Sequence, residues 1–421
     1  MKKLYSLIDK VYRKENLYEA FRRVKQNHGA PGIDGETVED FAAELDERIE
    51  FLHEALKTNI YTPSPVRRTV IGKPDGGTRP LGIPTVTDRV VQQAIVNIIE
   101  PHFDKHFHPS SYGYRKGKSQ QQAVAKAERF LNRYGLTHVV DMDLSKCFDT
   151  LDHERIIESI NQRISDGRVL KLIRSFLIAG VMEDGNFTDT EIGSPQGGVI
   201  SPLICNIYLD YFDQKMKSKG IRIVRYADDI LIFAKTKKEA GNYRAFATKV
   251  LEEEMKLTVN EKKTSVTSVK NGVSYLGFVI YPKWVTVDPK RIKRFKDKVR
   301  QITRRSTGRP IEEVIRKLNP LLRGWMNYYR AANIKGLAQE LMGWIRRRLR
   351  MIRMRQWKTY KKMHKEMRRK GLPIQEKMDV RRWKNSKVQI IHLLMPNRYF
   401  HDLGLIDLCS YDVGLLSSYR E

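Results

Sequence analysis

Residues 225–233, RYADDILIF, set two adjacent carboxylates, Asp228 and Asp229, in a short run of strand-forming apolar residues. Mutual repulsion and lost hydration both disfavour an ionised pair in such a place. With the preceding IRIV, the stretch 221–233 reads as a hairpin whose tip is Ala-Asp-Asp. A tip of this kind presents carboxylate oxygens at a sheet edge, and a divalent cation is the physical remedy for their repulsion. Mg²⁺ takes oxygen ligands and keeps positions open for water and phosphate. An Asp-Asp pair is also common in ordinary turns, so the pair alone leaves both readings open.

A second carboxylate-bearing strand shifts the balance. In VVDMDLSKCFD (139–149), Asp143 follows an apolar run, and Asp141 points to the same face because side chains alternate with period two. Two strands that each end in Asp can hold two Mg²⁺ ions about 3.5–4 Å apart, an arrangement that activates a primer 3′-hydroxyl and stabilises departing pyrophosphate. Phosphoryl transfer asks mainly for positioning and charge neutralisation. Basic groups must then hold a triphosphate. Lys73 and Arg79 flank the hairpin tip KPDGGTR, and Arg67 lies on the strand before it. Such residues serve equally well as solvated surface cations on a hairpin, and SPQGG (194–198) serves equally well as a plain loop before a helix.

Around these motifs the chain interleaves helices and strands without strict βαβ alternation, which predicts an α+β fold. Leu17, Ala20, Phe21 and Val24 give residues 16–27 one apolar helical face, and Phe41, Leu45, Ile49, Leu52 and Leu56 do the same for 38–57. The turn-rich GAPGIDG (29–35) separates them. Residues 65–84 read as a hairpin, 87–100 and 119–134 as helices, His138–Leu144 as a buried strand, and 168–180 as a helix. A glycine-rich loop then feeds a helix within 193–213, a further helix spans about 237–255, and VSYLGFVIY (273–281) reads as one strand. From about Lys290 the pattern is helical and basic.

The chain has 421 residues and a formal net charge of +29. Residues 291–370 hold 27 Lys and Arg against 5 Asp and Glu, so most of the excess sits in one segment. A polyanion partner explains that concentration better than a solvated face does, through attraction and counterion release. Trp325, Tyr328, Tyr329, Trp344 and Trp357 are interleaved with the arginines there; at helical spacing they are expected to pack while the arginines bind. No run approaches the ~18 apolar residues a spanning helix needs. The three cysteines, Cys147, Cys205 and Cys409, form no C-x-x-C pair, so no disulfide framework or zinc cluster is expected and the predicted location is cytoplasmic, without membrane association.

Taken in order, KPDGGTRPLGIP, DLSKCFD, SPQGGVISPLICN, YADD and LGF resemble the successive blocks of reverse transcriptases. GAPGIDG near the N-terminus, with RGWMNYYR (323–330), WIRRRLR (344–350) and QWK (356–358), is similar to group II intron-encoded reverse transcriptases, the maturases, over about residues 16–360. The resemblance implies a right-hand polymerase fold: an N-terminal extension (1–64), fingers and palm (65–285), a helical basic thumb called domain X (286–365), and a small DNA-binding-like tail (366–421). Beyond residue 370 only Cys409, His392 and His401 are in the cysteine and histidine inventory, so the zinc-dependent endonuclease of many relatives is expected to be absent.

By position, the resemblance implies that Asp143, Asp228 and Asp229 are catalytic and bind two Mg²⁺ ions, with Mn²⁺ able to substitute. Leu144 offers its carbonyl, and Asp141 is a neighbour that does not ligate. Arg67, Lys73, Arg79, Phe148, Gln196, Gly197 and Lys263 contact the nucleotide; Phe148 excludes a 2′-hydroxyl and Lys263 approaches the pyrophosphate as a general acid. Leu276, Gly277 and Phe278 form the primer grip. Gly29, Ala30, Pro31, Gly32, Ile33, Asp34 and Gly35 form a lid over the template. Arg323, Arg346, Arg347, Arg348 and Arg350 bind RNA. The implied activity is RNA-directed DNA synthesis plus binding of group II intron RNA for splicing and retrohoming, with an RNA template, a DNA or RNA primer, dNTPs and target DNA as partners. A splicing-only maturase and a host-domesticated enzyme of phage defence or repair are the alternatives.

Overall fold

The computed structural model describes residues 3–72, 76–183, 186–189, 192–193, 197–357, 359–369, 391–392 and 395–420. Two compact units are found, Met1–Ser268 and Val269–Glu421. The fold is α+β, with the sheets mostly antiparallel.

The first unit begins with four helices, α1 (Ile8–Val11), α2 (Lys14–Gln26), α3 (Val38–Ala43) and α4 (Leu45–Lys57). The expected single helix over 38–57 is thus two, because Glu44 leaves helical geometry at φ −114° and ψ 29°. Both pieces still bury their apolar positions: Phe41 stacks on Phe21 at 5.1 Å, and Ile49 and Leu52 are fully buried. Strands β1 (Val66–Gly72) and β2 (Thr78–Ile83) form the expected hairpin, which precedes α5 (Val86–Asp104) and α6 (Gln120–Asn132).

Next come β3 (His138–Met142), α7 (His153–Asn161), α8 (Gly167–Leu177), β4 (Val181–Glu183), β5 (Asn186–Thr188) and α9 (Ser201–Ser218). The unit ends with β6 (Arg222–Tyr226), β7 (Asp229–Ala234), α10 (Lys237–Lys249) and β8 (Ser265–Ser268). One sheet has the order β2-β1-β4-β5. The other, β6-β7-β3-β8, is antiparallel throughout and carries the carboxylate motifs. Val140, Met142, Ile230 and Ile232 on its central strands enter the main core. Asp141 occupies the alternate phase, and Asp143 and Asp229 continue that phase at the strand ends, so the same alternation that buries the apolar residues turns the acids away from the core.

The second unit holds β9 (Val273–Tyr275), β10 (Phe278–Ile280) and β11 (Val285–Val287), then α11 (Pro289–Ile302), α12 (Ile311–Tyr329), α13 (Lys335–Trp357) and α14 (Tyr360–Arg369). The single strand expected over 273–281 is a hairpin. Tyr275 pairs with Phe278 across a turn in which Leu276 and Gly277 both have positive φ, 50° and 83°. Tyr328 donates its hydroxyl hydrogen to the Leu276 carbonyl at 2.9 Å, and Phe278 stacks on Tyr328, so α12 holds the turn. Trp325, Tyr329 and Trp357 are buried, and Phe295, Trp325 and Tyr329 form a continuous ring cluster. No described helix is long and apolar enough to cross a membrane.

Candidate active site

Register explains how distant aspartates meet. Met142 pairs with Ile230 and Asp141 with Leu231 across β3 and β7, so the next step beyond the ladder sets Asp143 beside Asp229, with Asp228 in the adjoining turn. Their charges are felt mutually. Asp229 keeps an exposed surface at the sheet end, yet desolvation by the groups packed around its carboxyl, followed by the charges of Asp228, Asp141 and Asp143, pushes it up to about 7. Desolvation first and Asp143 second raise Asp141 to about 6. Asp228 is also raised, chiefly by burial and then by Asp143, while Arg79 and Arg225 oppose the rise. Each shift has the sign expected for carboxylates gathered at too high a negative charge density.

The turn itself is held from beneath. Tyr226 pairs with Asp229, and Ala227 takes a φ of 58°. Arg225 is fully buried: its guanidinium donates to both Asp213 carboxylate oxygens, to Asn206 Oδ1 at 3.0 Å and to the Ala227 carbonyl at 3.0 Å. Asn206 in turn donates to the Gly113 carbonyl at 2.8 Å. Gly113 lies so close that a Cβ there would fall 2.2 Å from Ala227 N. The sequence reading missed Arg225, Asp213 and Asn206. The available signal was a cation that follows apolar Ile223 and Val224 and directly precedes the acidic turn, a place where a buried arginine needs an acid to balance it.

Asp143 is braced by the segment after α10. Ser145 N donates to Thr258 O and Asn260 N to Asp143 O, both at 2.8 Å, flanking the Leu144–Val259 bridge. The carbonyl of Leu144 itself is not spent on that bridge. Asn260 Nδ2 lies 3.1 Å and Lys263 Nζ 3.2 Å from the same oxygen of Asp143, Oδ2. Lys263 therefore meets the first aspartate directly, and Asn260 is a second site neighbour that the sequence reading did not single out.

On the hairpin side, Arg79 bears electrostatically on both Asp228 and Tyr114. Phe148 is half-buried and meets Tyr114 edge-on at 6.4 Å. Gly197, at φ 121°, packs so tightly on β2 that a Cβ would sit 2.3 Å from Gly82 O, so this close approach requires glycine. Lys73 and Gln196 lie outside the described residues. Arg67 does something the sequence did not suggest: its Nη2 donates to Pro31 O at 2.7 Å, while Arg89 Nη2 donates to Ala30 O at 2.9 Å. The loop Gly29–Gly35 is thereby tied to β1 and α5, and a Cβ on Gly32 would fall 2.6 Å from the Thr85 backbone.

In the second unit, Leu276 and Gly277 form the hairpin tip, whereas Phe278 is fully buried core. The arginines of α12 and α13 divide. Arg323 and Arg347 are exposed. Arg346 pairs with Asp407 at 2.7 Å, Arg348 donates twice to Thr303, and buried Arg350 donates to Met395 O and Asn397 Oδ1. These three guanidiniums serve the fold, because their donors are directed inward.

Comparison with known proteins identifies the family. Residues 71–280 match the model for reverse transcriptase (RNA-dependent DNA polymerase), and residues 292–371 match the group II intron, maturase-specific domain. Protein YkfC of Escherichia coli (strain K12) is 33% identical over 314 residues, covering 65% of this chain and 82% of YkfC. The chain belongs to the reverse transcriptase family. Group II intron-encoded protein LtrA of Lactococcus lactis subsp. cremoris is 30% identical over 330 residues, 62% of this chain and 54% of LtrA, so this reverse transcriptase spans about half of that relative. Among solved structures, apo telomerase from Candida tropicalis, truncated from its C-terminal domain, aligns at a TM-score of 0.41 and 16% identity, over 56% of this chain and 58% of its own.

The family makes the chain an RNA-directed DNA polymerase, and its enzymes use divalent metal ions. The residues fit such an ion: Asp143, Asp228 and Asp229 offer hard oxygen donors, and the raised proton affinities of Asp228 and Asp229 mark a charge that a cation would relieve. Among the described residues no three His, Cys, Asp or Glu side chains close around one point. The fit rests on donor chemistry and on the shared sheet end.

Proposed function

We propose that this reverse transcriptase extends a DNA or RNA primer with dNTPs on an RNA template using two Mg²⁺ ions, for which Mn²⁺ can substitute. We also propose that it binds group II intron RNA to assist splicing and retrohoming into target DNA. The observation that carries the reading is the gathering of Asp143, Asp228 and Asp229 at one end of the β6-β7-β3-β8 sheet, with Asp228 within electrostatic reach of Arg79. Asp143 and Asp228, with the Leu144 carbonyl, would hold the ions, and Asp229 completes the anionic set. When bound, the ions lower the charge on the triphosphate and favour deprotonation of the primer 3′-hydroxyl.

The remaining roles are assigned to this chain's own groups. Arg79, with Lys73, grips the triphosphate through charge-assisted hydrogen bonds. Phe148, backed by Tyr114, supports the sugar and rejects a 2′-hydroxyl, and Gln196 and Gly197 face the nucleotide. Lys263 leaves Asp143 to protonate the departing pyrophosphate. The loop 29–35 covers the template, with Arg67 anchoring it, and Leu276–Phe278 steady the primer. Residues 1–64, 65–285, 286–365 and 366–421 act as extension, fingers and palm, thumb, and tail.

Purified full-length protein incubated with RNA template, annealed primer, dNTPs and MgCl₂ should yield cDNA, and Asp228→Ala should reduce the yield by about a hundredfold or more. Absence of cDNA from the unaltered protein, or full synthesis by Asp228→Ala, would overturn the polymerase assignment. Splicing of an intron RNA that persists in Asp228→Ala would separate the maturase role from polymerisation.

A further inference from the structure

The carboxylates lie at one end of the β6-β7-β3-β8 sheet; a cavity of about 420 Å³ lies at the other end. Its walls include Lys126 of α6, Lys217 of α9, Arg222 of β6 and His108. Arg222 and Tyr226 stand at opposite ends of five-residue β6, a separation of about 13 Å along the strand at roughly 3.3 Å per residue. The Asp228 turn is farther still. This cavity is therefore not part of the polymerase centre.

Three observations distinguish it from a run of solvated cations. First, among the described residues no acidic side chain lines it, whereas neighbouring Lys215 has Glu254 at 3.0 Å. Second, two of its cations share one aromatic ring. Lys126 Nζ lies 5.6 Å and Arg222 Cζ 5.9 Å from the centroid of Phe130, which is itself fixed against Phe233 at 5.2 Å. Such contacts restrain long side chains that would otherwise roam, and so prepare positive charge at fixed points. Third, His108 sits among these cations: burial chiefly lowers its proton affinity, Asp213 opposes that, and Lys217, Arg225 and Lys126 add smaller lowering effects. A neutral His108 leaves ring nitrogens for polar contact; Nδ1 accepts from Ser110 N at 3.0 Å. The volume lies within the range of about 300–1,000 Å³ usual for ligand sites.

We propose that this cavity is a second RNA-contact site, in which Lys126, Lys217 and Arg222 hold backbone phosphates of the bound RNA away from the point of synthesis. The proposal deepens the RNA-binding reading above and rests on it. Phosphate is the fitting ligand because three cations line one cavity and, among the described residues, no acid lines it. Phe130 is buried to 4% exposure, so it stiffens the cations and offers no face for base stacking.

The test uses the full chain bearing Lys126→Glu, Lys217→Glu and Arg222→Glu together, with the corresponding triple Gln variant as a milder version. Affinity for a fluorescent RNA hairpin with long single-stranded arms is measured across a salt series. In parallel, extension is measured on a short primer-template confined to the polymerase cleft. Loss of three phosphate contacts should flatten the log–log salt slope by about 2–3, at roughly 0.7–0.9 per phosphate, while short-template extension stays at the unaltered rate. An unchanged slope with folded variants overturns the proposal. Loss of short-template extension also overturns it, because the residues would then serve the cleft. A slope change with duplex DNA but not with RNA refutes the RNA assignment. Failure of the unaltered protein to bind the hairpin would sink the broader RNA-binding reading instead.

Discussion

Arg225 has no solvent contact, yet it sets the stage for two residues that do. Its guanidinium neutralises Asp213 and donates to the Ala227 carbonyl, so the turn bearing Asp228 is fixed by a charge hidden beneath it. Arg225→Leu leaves Asp213 buried without a partner and is expected to destabilise by about 3–5 kcal/mol. Arg225→Leu combined with Asp213→Leu should recover most of that stability but not primer extension, because the Ala227 carbonyl still lacks its donor; thermal melting and extension assays separate the two effects. At the same scale, Asp229 has an opposite signature. Its carboxyl is raised from 3.8 to about 7, so the folded chain retains a proton that the unfolded chain has lost. That contribution is fully present below about pH 4 and is lost as pH rises through about 7. Melting temperature without divalent ions should fall over that window, and Asp229→Asn should flatten the fall. The carboxylates were legible because acids in apolar strands are conspicuous. Asn260 and Asn206 were not, since an asparagine in a loop or helix reads as polar filler until its partner is known.

At the scale of elements, hydrophobic periodicity located most helices and the two carboxylate strands. It failed where a turn leaves the apolar pattern intact. In VSYLGFVIY the local sign of a reversal is Gly277, and a lone glycine within an apolar run reads equally as a bulge in one continuous strand. The reversal is enforced by Tyr328 on the Leu276 carbonyl and by Asp288 N on the Gly277 carbonyl at 3.0 Å, partners from beyond the stretch itself. β8, with the sequence SVTS, is equally silent and becomes a strand only because β3 offers it an edge. Gly277→Ala should be costly, about 1–3 kcal/mol, because φ is 83° and the new Cβ would lie 2.8 Å from the Tyr329 hydroxyl. A lowered melting temperature with weakened primer retention in a challenge assay would support the grip. Unchanged retention would remove this turn from primer binding.

For the whole molecule, charge concentration in residues 291–370 pointed to a polyanion, and the maturase-specific match falls on nearly the same span. Sequence could not say which arginines face outward. Arg346, Arg348 and Arg350 share a stretch with Arg347 but are turned inward, toward Asp407, Thr303 and Asn397. Arg350→Ala should therefore lower stability with little change in the salt slope of RNA binding. Arg323→Ala should reduce that slope by about one while leaving the melting temperature unaltered. Equal effects of the two substitutions on RNA affinity would refute the division.

The central claim is that strands far apart in sequence supply carboxylates to one divalent-ion site. Replacing Mg²⁺ by Fe²⁺ and generating hydroxyl radicals with ascorbate and peroxide maps backbone positions close to the bound ion. Cleavage at both 141–145 and 226–230, suppressed together by Asp228→Asn and by excess Mg²⁺, is the predicted result. Cleavage confined to one of the two segments, or persisting unchanged in Asp228→Asn, would contradict it.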